Sequence, residues 1–380
     1  MTAKNLGRHF GDLLRSRADQ PTSIVGASRK GEPAELLNAG KVLAALTRLA
    51  VGLQPQTIER EGLGITALAP GDRVLIACEP RLEALLFALA TWSVGAVTIH
   101  IGSNVAGPQL SEALGRMKAS TIVVDNRQSL GGLELAADDV VGNANIVILD
   151  DPPEAPLPRM IGYNQLLDAG GRHRAVGLDR FAKAIFAVPD HARAAILYWT
   201  EGDALAAAAL DHHEIVAAMA PLPRAWGLSG ADRVLTTLPL SDRESLLMTL
   251  RVLHQGLPIA WTGTGDLVAG VASVAPRVLL TRSGTLEVLL DSLDRAQDDL
   301  SMRGALRKGL GWLERRRAEE GEGEGGGVVT DRLGGWAERG LASMLKRDLG
   351  GQLDVIWCDG PPPSAEARAL LEAAGVTLTP

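Results

Sequence analysis

The chain has 380 residues, 46% of them hydrophobic, and a formal net charge of −7 from 38 basic and 45 acidic side chains. Apolar content of that order over that length supports a sizeable core and two or three domain-sized units. The acidic balance, with no basic tail or stripe to meet phosphates, argues against nucleic acid as a partner.

The N-terminal stretch MTAKNLGRHFGDLLRSRADQ has no apolar signal core, and no uncharged run approaches the ~18 residues of a membrane span. A cytoplasmic protein without a transmembrane segment is therefore expected. Cys78 and Cys358 end the apolar runs VLIAC and DVIWC and have no metal-ligand spacing. They read as reduced, buried thiols rather than as a disulfide.

In chain order, DRVLIACEP (72–80) reads as a buried strand. RLEALLFALATWSVG follows as a helix with Leu82, Leu85, Leu86 and Leu89 on one face. AVTIHI returns as a strand, QLSEALGRMKA as a helix, and STIVVD as a strand. This alternation predicts an α/β fold with mostly parallel sheets flanked by helices, in which apolar strands are covered on both faces.

The pattern repeats. GDRVLIACEPRLEALLFALATWSVGAVTIHI from Gly71 and ADRVLTTLPLSDRESLLMTLRVLHQGLPIAW from Ala231 share a DRVL start, a leucine-rich helix and a glycine before the returning strand. Two related βαβ units are expected, one in each of two α/β subdomains at 1–185 and 186–380. In the second, the glycine and glutamate run at 319–327 reads as a flexible surface loop between two helical segments. Arg315 to Arg317 read as a solvated helix end.

Taken together, GDRVLIACEP, QLSEALGRMKASTIVVD, AILYWTEGDALAAAALDHHEIVAAM, ADRVLTTLPL and DVIWCDGPPPSAEARALLEAAGVTLTP resemble, in that order, the N-terminal domain of the adenylate-forming enzymes, long-chain acyl-CoA synthetases in particular. The resemblance runs over nearly the whole chain. It implies two α/β subdomains, and a phosphate loop of the form YTSGTTGxPKG after the strand matching AILYW. Such a loop wraps the phosphates of ATP with backbone N–H groups, hydroxyls and a lysine.

The resemblance also exposes departures. At 198–210, Thr200 and Gly202 match the loop, but Glu201 and Asp203 intrude, and Ala206 to Ala209 stand in place of Pro-Lys-Gly. In CDGPPPS, Gly360, Pro362 and Ser364 keep the family's SGGAPLS pattern, while Cys358 and Asp359 replace small residues. Thr200, Gly202 and Gly360 are thus the vestigial nucleotide-site positions, each explained first as a turn or cap residue. The chain ends at VTLTP, before the place where YGxTE, the hinge and the small C-terminal domain with its catalytic lysine would follow.

Local chemistry supplies replacements. Asp203 reads as an N-cap, and ALAAAALDHHEIVAAMA as one helix of strong formers running until Pro221. His212 and His213 read as surface residues, since neighbours on a helix diverge and no metal-ligand pattern accompanies them. In LPLSDRE, Asp242 stands where the family's histidine is expected, and Ser241 with Glu244 forms an S-x-x-E capping box. Asp359 reads as a helix cap or as an adenine contact. Trp199, Trp226, Trp261 and Trp312 are candidate interface anchors.

Three readings follow. The first is a pseudoenzyme acting as a binding or assembly module, pairing with another protein chain such as a catalytic homologue or a larger complex. The second is one subunit of a split acyl-CoA ligase completed by a partner, which would leave an exposed apolar edge near 376–380. The third is a fatty-acyl carrier. No catalytic residue, no metal ligand and no cofactor is expected on the first and third; ATP and Mg enter only with the second.

Overall fold

A computed structural model describes residues 5–18, 24–25, 36–150, 158–295, 343 and 345–379. The expected loop at 319–327, the arginine run before it and Trp312 lie outside these residues. Contacts divide the chain into two compact units. The first holds the described residues up to Arg224 together with Pro239–Pro258, and the second holds Ala225–Leu238 and the described residues from Ile259 onward.

The first unit begins with α1 (Leu6–Ser16), capped by Asn5, whose side chain accepts from Arg8 N. The short pair β1 (Ile24–Val25) and β2 (Leu36–Leu37) follows, then α2 (Ala39–Gly52) and α3 (Pro55–Glu61). The sheet is built from β3 (Arg73–Ala77), β4 (Val97–Ile101), β5 (Thr121–Val124), β6 (Asn145–Ile148) and β7 (Met160–Gly162), all parallel. Their crossovers are α4 (Leu82–Ser93), α5 (Gly107–Met117) and α6 (Arg127–Asn143). The expected leucine face of α4 understates its burial, because every residue of that helix except Glu83 is buried.

After α7 (Tyr163–Arg172) and α8 (Arg174–Ala187), β8 (Arg193–Glu201) joins the sheet parallel to β4, and β9 (Ala204–Asp211) folds back antiparallel on β8. The order is β7-β6-β5-β3-β4-β8-β9. The expected boundary at 185 therefore falls inside α8, and the first unit runs further because β8 hydrogen-bonds to β4. α9 (His212–Ala218) and α10 (Arg243–Gln255) complete this unit.

Helices α2 and α7 approach closely through glycine. A Cβ on Gly170 would lie 1.7 Å from the carbonyl oxygen of Arg48, and one on Gly52 would lie 2.4 Å from that of Leu166.

In the second unit, β10 (Val234–Thr236), β11 (Ile259–Trp261), β12 (Val278–Arg282), β13 (Val355–Asp359) and β14 (Thr377–Thr379) form a fully parallel sheet in the order β11-β10-β12-β13-β14. The helices α11 (Leu267–Val274), α12 (Ser283–Arg295) and α13 (Ala365–Ala373) accompany it.

Numbered within each unit, β3 to β7 and β10 to β14 have the same strand order, 2-1-3-4-5, one of the common doubly wound arrangements. The sequence echo reflects this duplication down to its side chains. Arg73 Nη1 donates to the carbonyl of Met117, which ends α5, and Arg233 Nη1 donates to the carbonyl of Val274, which ends α11. Asp72 accepts from the N–H of Ala69, and Asp232 from that of Ser229.

Among the described residues no helix is long and apolar enough to cross a membrane. The end of the second sheet is polar rather than an apolar edge: Val376 is buried, Thr377 is exposed, and Leu378 and Thr379 are half-buried.

Candidate functional site

Residues 198–210 do not form the helix that their alanine content suggests. Glu201 pairs with Ala204, so the β8–β9 hairpin closes through the two-residue turn Gly202-Asp203. Gly202 has φ +60°, while Asp203 has no positive φ, the combination of a type II′ turn, with glycine first. Asp203 is thus a turn residue and not a helix cap. The strand wins over helix propensity because Ala204 to Leu210 find a continuous backbone partner in β8.

The hairpin tip is fastened to the segment between β4 and α5 and to the first turn of α5. Thr200 Oγ1 donates to the carbonyl of Asn104 at 3.3 Å, and Asn104 Nδ2 donates to the carbonyl of Thr200 at 3.1 Å. Gln109 Nε2 donates to the carbonyl of Asp203 at 3.3 Å. Trp199 is half-buried and donates through Nε1 to Glu201 Oε1 at 3.0 Å. Trp226 and Trp261 are core residues, 4% and 1% exposed, which removes them as interface anchors.

Thr200 and Gly202 therefore share one hairpin of the first unit, with the Thr200 hydroxyl already engaged. Gly360 belongs to the second unit, directly after β13. Its φ is +102°, and a Cβ there would lie 3.4 Å from Ser283 Oγ, so its role in the fold is a turn beside the end of β12. Nearby, the buried hydroxyls of Thr237 and Thr281 hydrogen-bond each other at 2.8 Å. Asp359 does not cap α13: its carboxylate lies 3.9 Å from Arg282 Nε, and Ser364 Oγ accepts from Ala367 N. Glu287 in turn accepts from the N–H of Ser364 at 2.6 Å.

Two further expectations change. His212 is fully buried rather than on the surface, because it opens α9 against α1 and its Nδ1 accepts from the N–H of Leu6. Burial pulls its pKa down to about 4, with Asp211 and Asp190 opposing the shift. His213 is exposed, as expected. The cap of α9 is Asp211, in a capping box with Glu214. At α10 the capping residue is Asp242 and not Ser241, with Asp242 Oδ1 accepting from Ser245 N at 2.8 Å.

The two thiols are free. Cys358 is buried and pushed up to about 11 by burial, with Asp359 and Glu287 adding to the shift. Cys78 is half-buried, donates to the carbonyl of Val123 and is also raised, by burial first and then by Asp125.

A charged cluster that the sequence reading missed lies at the carboxyl ends of β3, β5 and β6, beside the point where the strand order of the first sheet reverses. Arg81 donates to Glu83 at 3.0 Å through Nε, and to Asp125 and Asp150 at 3.0 Å each through Nη1. Asp125 also accepts from the N–H of Glu79. Burial alone would lower the Arg81 pKa, but the carboxylates outweigh it and raise it. The signal was present in IVVD and VILDD, where a carboxylate follows an apolar strand. Together these bonds make the cluster a clamp joining three strand ends. Among the described residues no His, Cys, Asp and Glu group is arranged to hold a metal ion.

In the first unit, a pocket between α1, α2, α4 and α10 is lined by Phe10, Leu14, Arg17, Val42, Leu89 and Leu253, and has a volume of about 20 Å³. That is room for roughly one water, well short of the ~300 Å³ or more of a small-molecule site, and it lends no support to a fatty-acyl carrier.

Residues 56–378 match the family model described as AMP-binding enzyme. No curated protein matches the chain in sequence. Solved structures share the fold. One is a long-chain-fatty-acid-CoA ligase from Archaeoglobus fulgidus, with TM-score 0.61, 14% identity, and 98% of this chain aligned to 60% of that one. Another is the inhibitor-bound N-terminal domain of FACL13 from Mycobacterium tuberculosis, with TM-score 0.58, 12% identity, and coverage of 99% and 74%. A third is MatB from Rhodopseudomonas palustris, with TM-score 0.57, 16% identity, and coverage of 98% and 59%. The chain thus spans less than two thirds of the length of the first and third.

Proposed function

Because the chain belongs to the AMP-binding enzyme family, we propose that it uses that family's scaffold as a binding or assembly module and not as an adenylating catalyst. The observation that carries this reading is the two-residue turn at Gly202-Asp203. A phosphate loop needs several consecutive backbone N–H groups facing one concavity, together with a cation. Here half of the N–H groups flanking the turn bond across the hairpin, and Tyr198–Asp211 contains no lysine or arginine.

The carboxylates of Glu201 and Asp203 flank this turn. Each would oppose a phosphate charge by ~1 kcal/mol in water and by more once desolvated. The residues at the hairpin do not fit the triphosphate of ATP, and no catalytic step is derived through it. On this reading ATP and Mg are not cofactors of the chain, and its partner is another protein chain, a catalytic homologue or a larger complex.

The test is carboxylate-dependent exchange of labelled pyrophosphate into ATP, with acetate, octanoate and palmitate as acceptors. The reading predicts no exchange above a protein-free control. Exchange by the purified chain, or exchange restored by a second protein, would replace it with the active or split ligase.

A further inference from the structure

Sheet edges present unpaired backbone donors and acceptors, and proteins guard them by keeping edge strands short or by placing lysine, proline or bulges there. Three of the four edges of the two large sheets follow that rule: β7, β11 and β14 have three residues each. The fourth, β9, has eight. From Ala204 to Leu210 it carries no charge and no proline, and its pairing with β8 is regular from Ala204 to Leu210, with the irregularity confined to Arg193/Ala195.

The hairpin register identifies the free groups. Across a two-residue turn the closing pair, Glu201 and Ala204, exchanges both hydrogen bonds, and bonded and non-bonded pairs then alternate. Leu205, Ala207 and Ala209 therefore direct their N–H and C=O groups away from β8. The side chains of Ala207 and Ala209 are exposed and Leu205 is half-buried, so nothing bulky stands over the row.

Charge decides which occupant suits this edge. A second copy pairing antiparallel about Ala207 would set Asp203 of each chain opposite Asp211 of the other, and like charges directly opposite are destabilising. At the turn end, Glu201 and Asp203 are exposed carboxylates with no ion pair to a cation among the described residues. At the other end Arg193 pairs across from Asp211, beside His191. The acidic excess is at the turn.

We infer that β9 is a docking edge for an extended segment of a partner protein, which adds a strand to the first sheet and places basic residues against Glu201 and Asp203. Main-chain bonds to Leu205, Ala207 and Ala209 supply the attachment, and the lysines or arginines at one end set the register. This rests on the reading of the chain as a binding module, and names where that binding occurs.

The test uses the full chain and a labelled synthetic peptide of alternating threonine and valine that ends in paired lysines. Binding is followed by fluorescence anisotropy. Replacing the lysines by glutamates is expected to weaken binding about tenfold. Methylating alternate peptide amides, so that they cannot donate, is expected to abolish it. Ala207→Pro removes one outward N–H without touching a bond to β8 and should weaken binding about tenfold. Ala209→Lys, a milder change on an exposed side chain, should also weaken it and covers the case in which the proline variant fails to fold.

No binding of the lysine peptide, or equal binding of its methylated form, overturns the inference. So does a mass that doubles with concentration in the wild type but not in Ala207→Pro, since the edge would then belong to a second copy. Pyrophosphate exchange on the same sample reports separately on the module reading, so failure of the peptide with no exchange removes the docking edge alone.

Discussion

The backbone amide of Leu6 donates to Nδ1 of His212 at 3.2 Å, joining the first turn of α1 to the first residue of α9 across 206 positions. This bond requires a neutral ring with its proton on Nε2, and Nε2 is buried without a partner. His100, 1% exposed in β4, is also held neutral, its pKa lowered to about 3 by burial.

These histidines make stability depend on acid. In an unfolded chain both rings take up protons below about 6.5, whereas in the folded protein they resist until about 4 for His212 and about 3 for His100. Within that window the unfolded state holds more protons. Their contribution is therefore complete above about pH 6.5 and is lost as pH falls towards 3. The melting temperature should drop steadily between pH 6.5 and 4, and His212→Asn, which offers an acceptor near the position of Nδ1, should show a shallower drop.

Removing the acceptor should cost more than removing the ring. His212→Ala leaves the Leu6 N–H buried and unsatisfied, and a loss of about 1–3 kcal/mol is expected by urea denaturation at neutral pH. Equal stability of His212→Ala and the wild type would mean that water replaces the ring without cost.

Gly170 predicts a second large effect. With a Cβ only 1.7 Å from the Arg48 carbonyl, Gly170→Ala must push α7 off α2, and overpacking of this kind costs about 1–3 kcal/mol. Gly171→Ala, one position along, meets only the flexible end of the Arg48 side chain, 3.1 Å from Nε, and serves as the control. The two variants should separate clearly in thermal melts.

The Arg81 clamp gives a third. Arg81→Met strands Glu83, Asp125 and Asp150 without their shared cation, and breaking a buried charge network costs about 3–5 kcal/mol. The loss should shrink when Asp125 and Asp150 are both replaced by asparagine in the same chain, as a double-mutant cycle would show. A loss unchanged by those replacements would assign Arg81 a packing role only.

Much of this architecture was legible in the sequence, and the reason is periodicity. The DRVL echo at Asp72 and Asp232 marks matching strands because a parallel strand buried on both faces has to be a continuous apolar run. The errors fall where a partner distant in sequence decides. Alanines 206 to 209 favour a helix by propensity but lie beside β8 as an edge strand. His212 reads as solvated in a polar stretch, and only the arrival of α1 makes it a core residue. Asp125 and Asp150 sit 25 positions apart, and the parallel pairing of β5 with β6 brings both to Arg81.

The central claim is that the hairpin with its two-residue turn at Gly202-Asp203 cannot hold a triphosphate. Calorimetric titration of the full chain with Mg-ATP at physiological ionic strength tests it most directly. The account predicts no heat beyond dilution up to millimolar ATP. Saturable binding that weakens in Thr200→Val would contradict it, and would return Thr200 and the Gly202 turn to the role of a working nucleotide site.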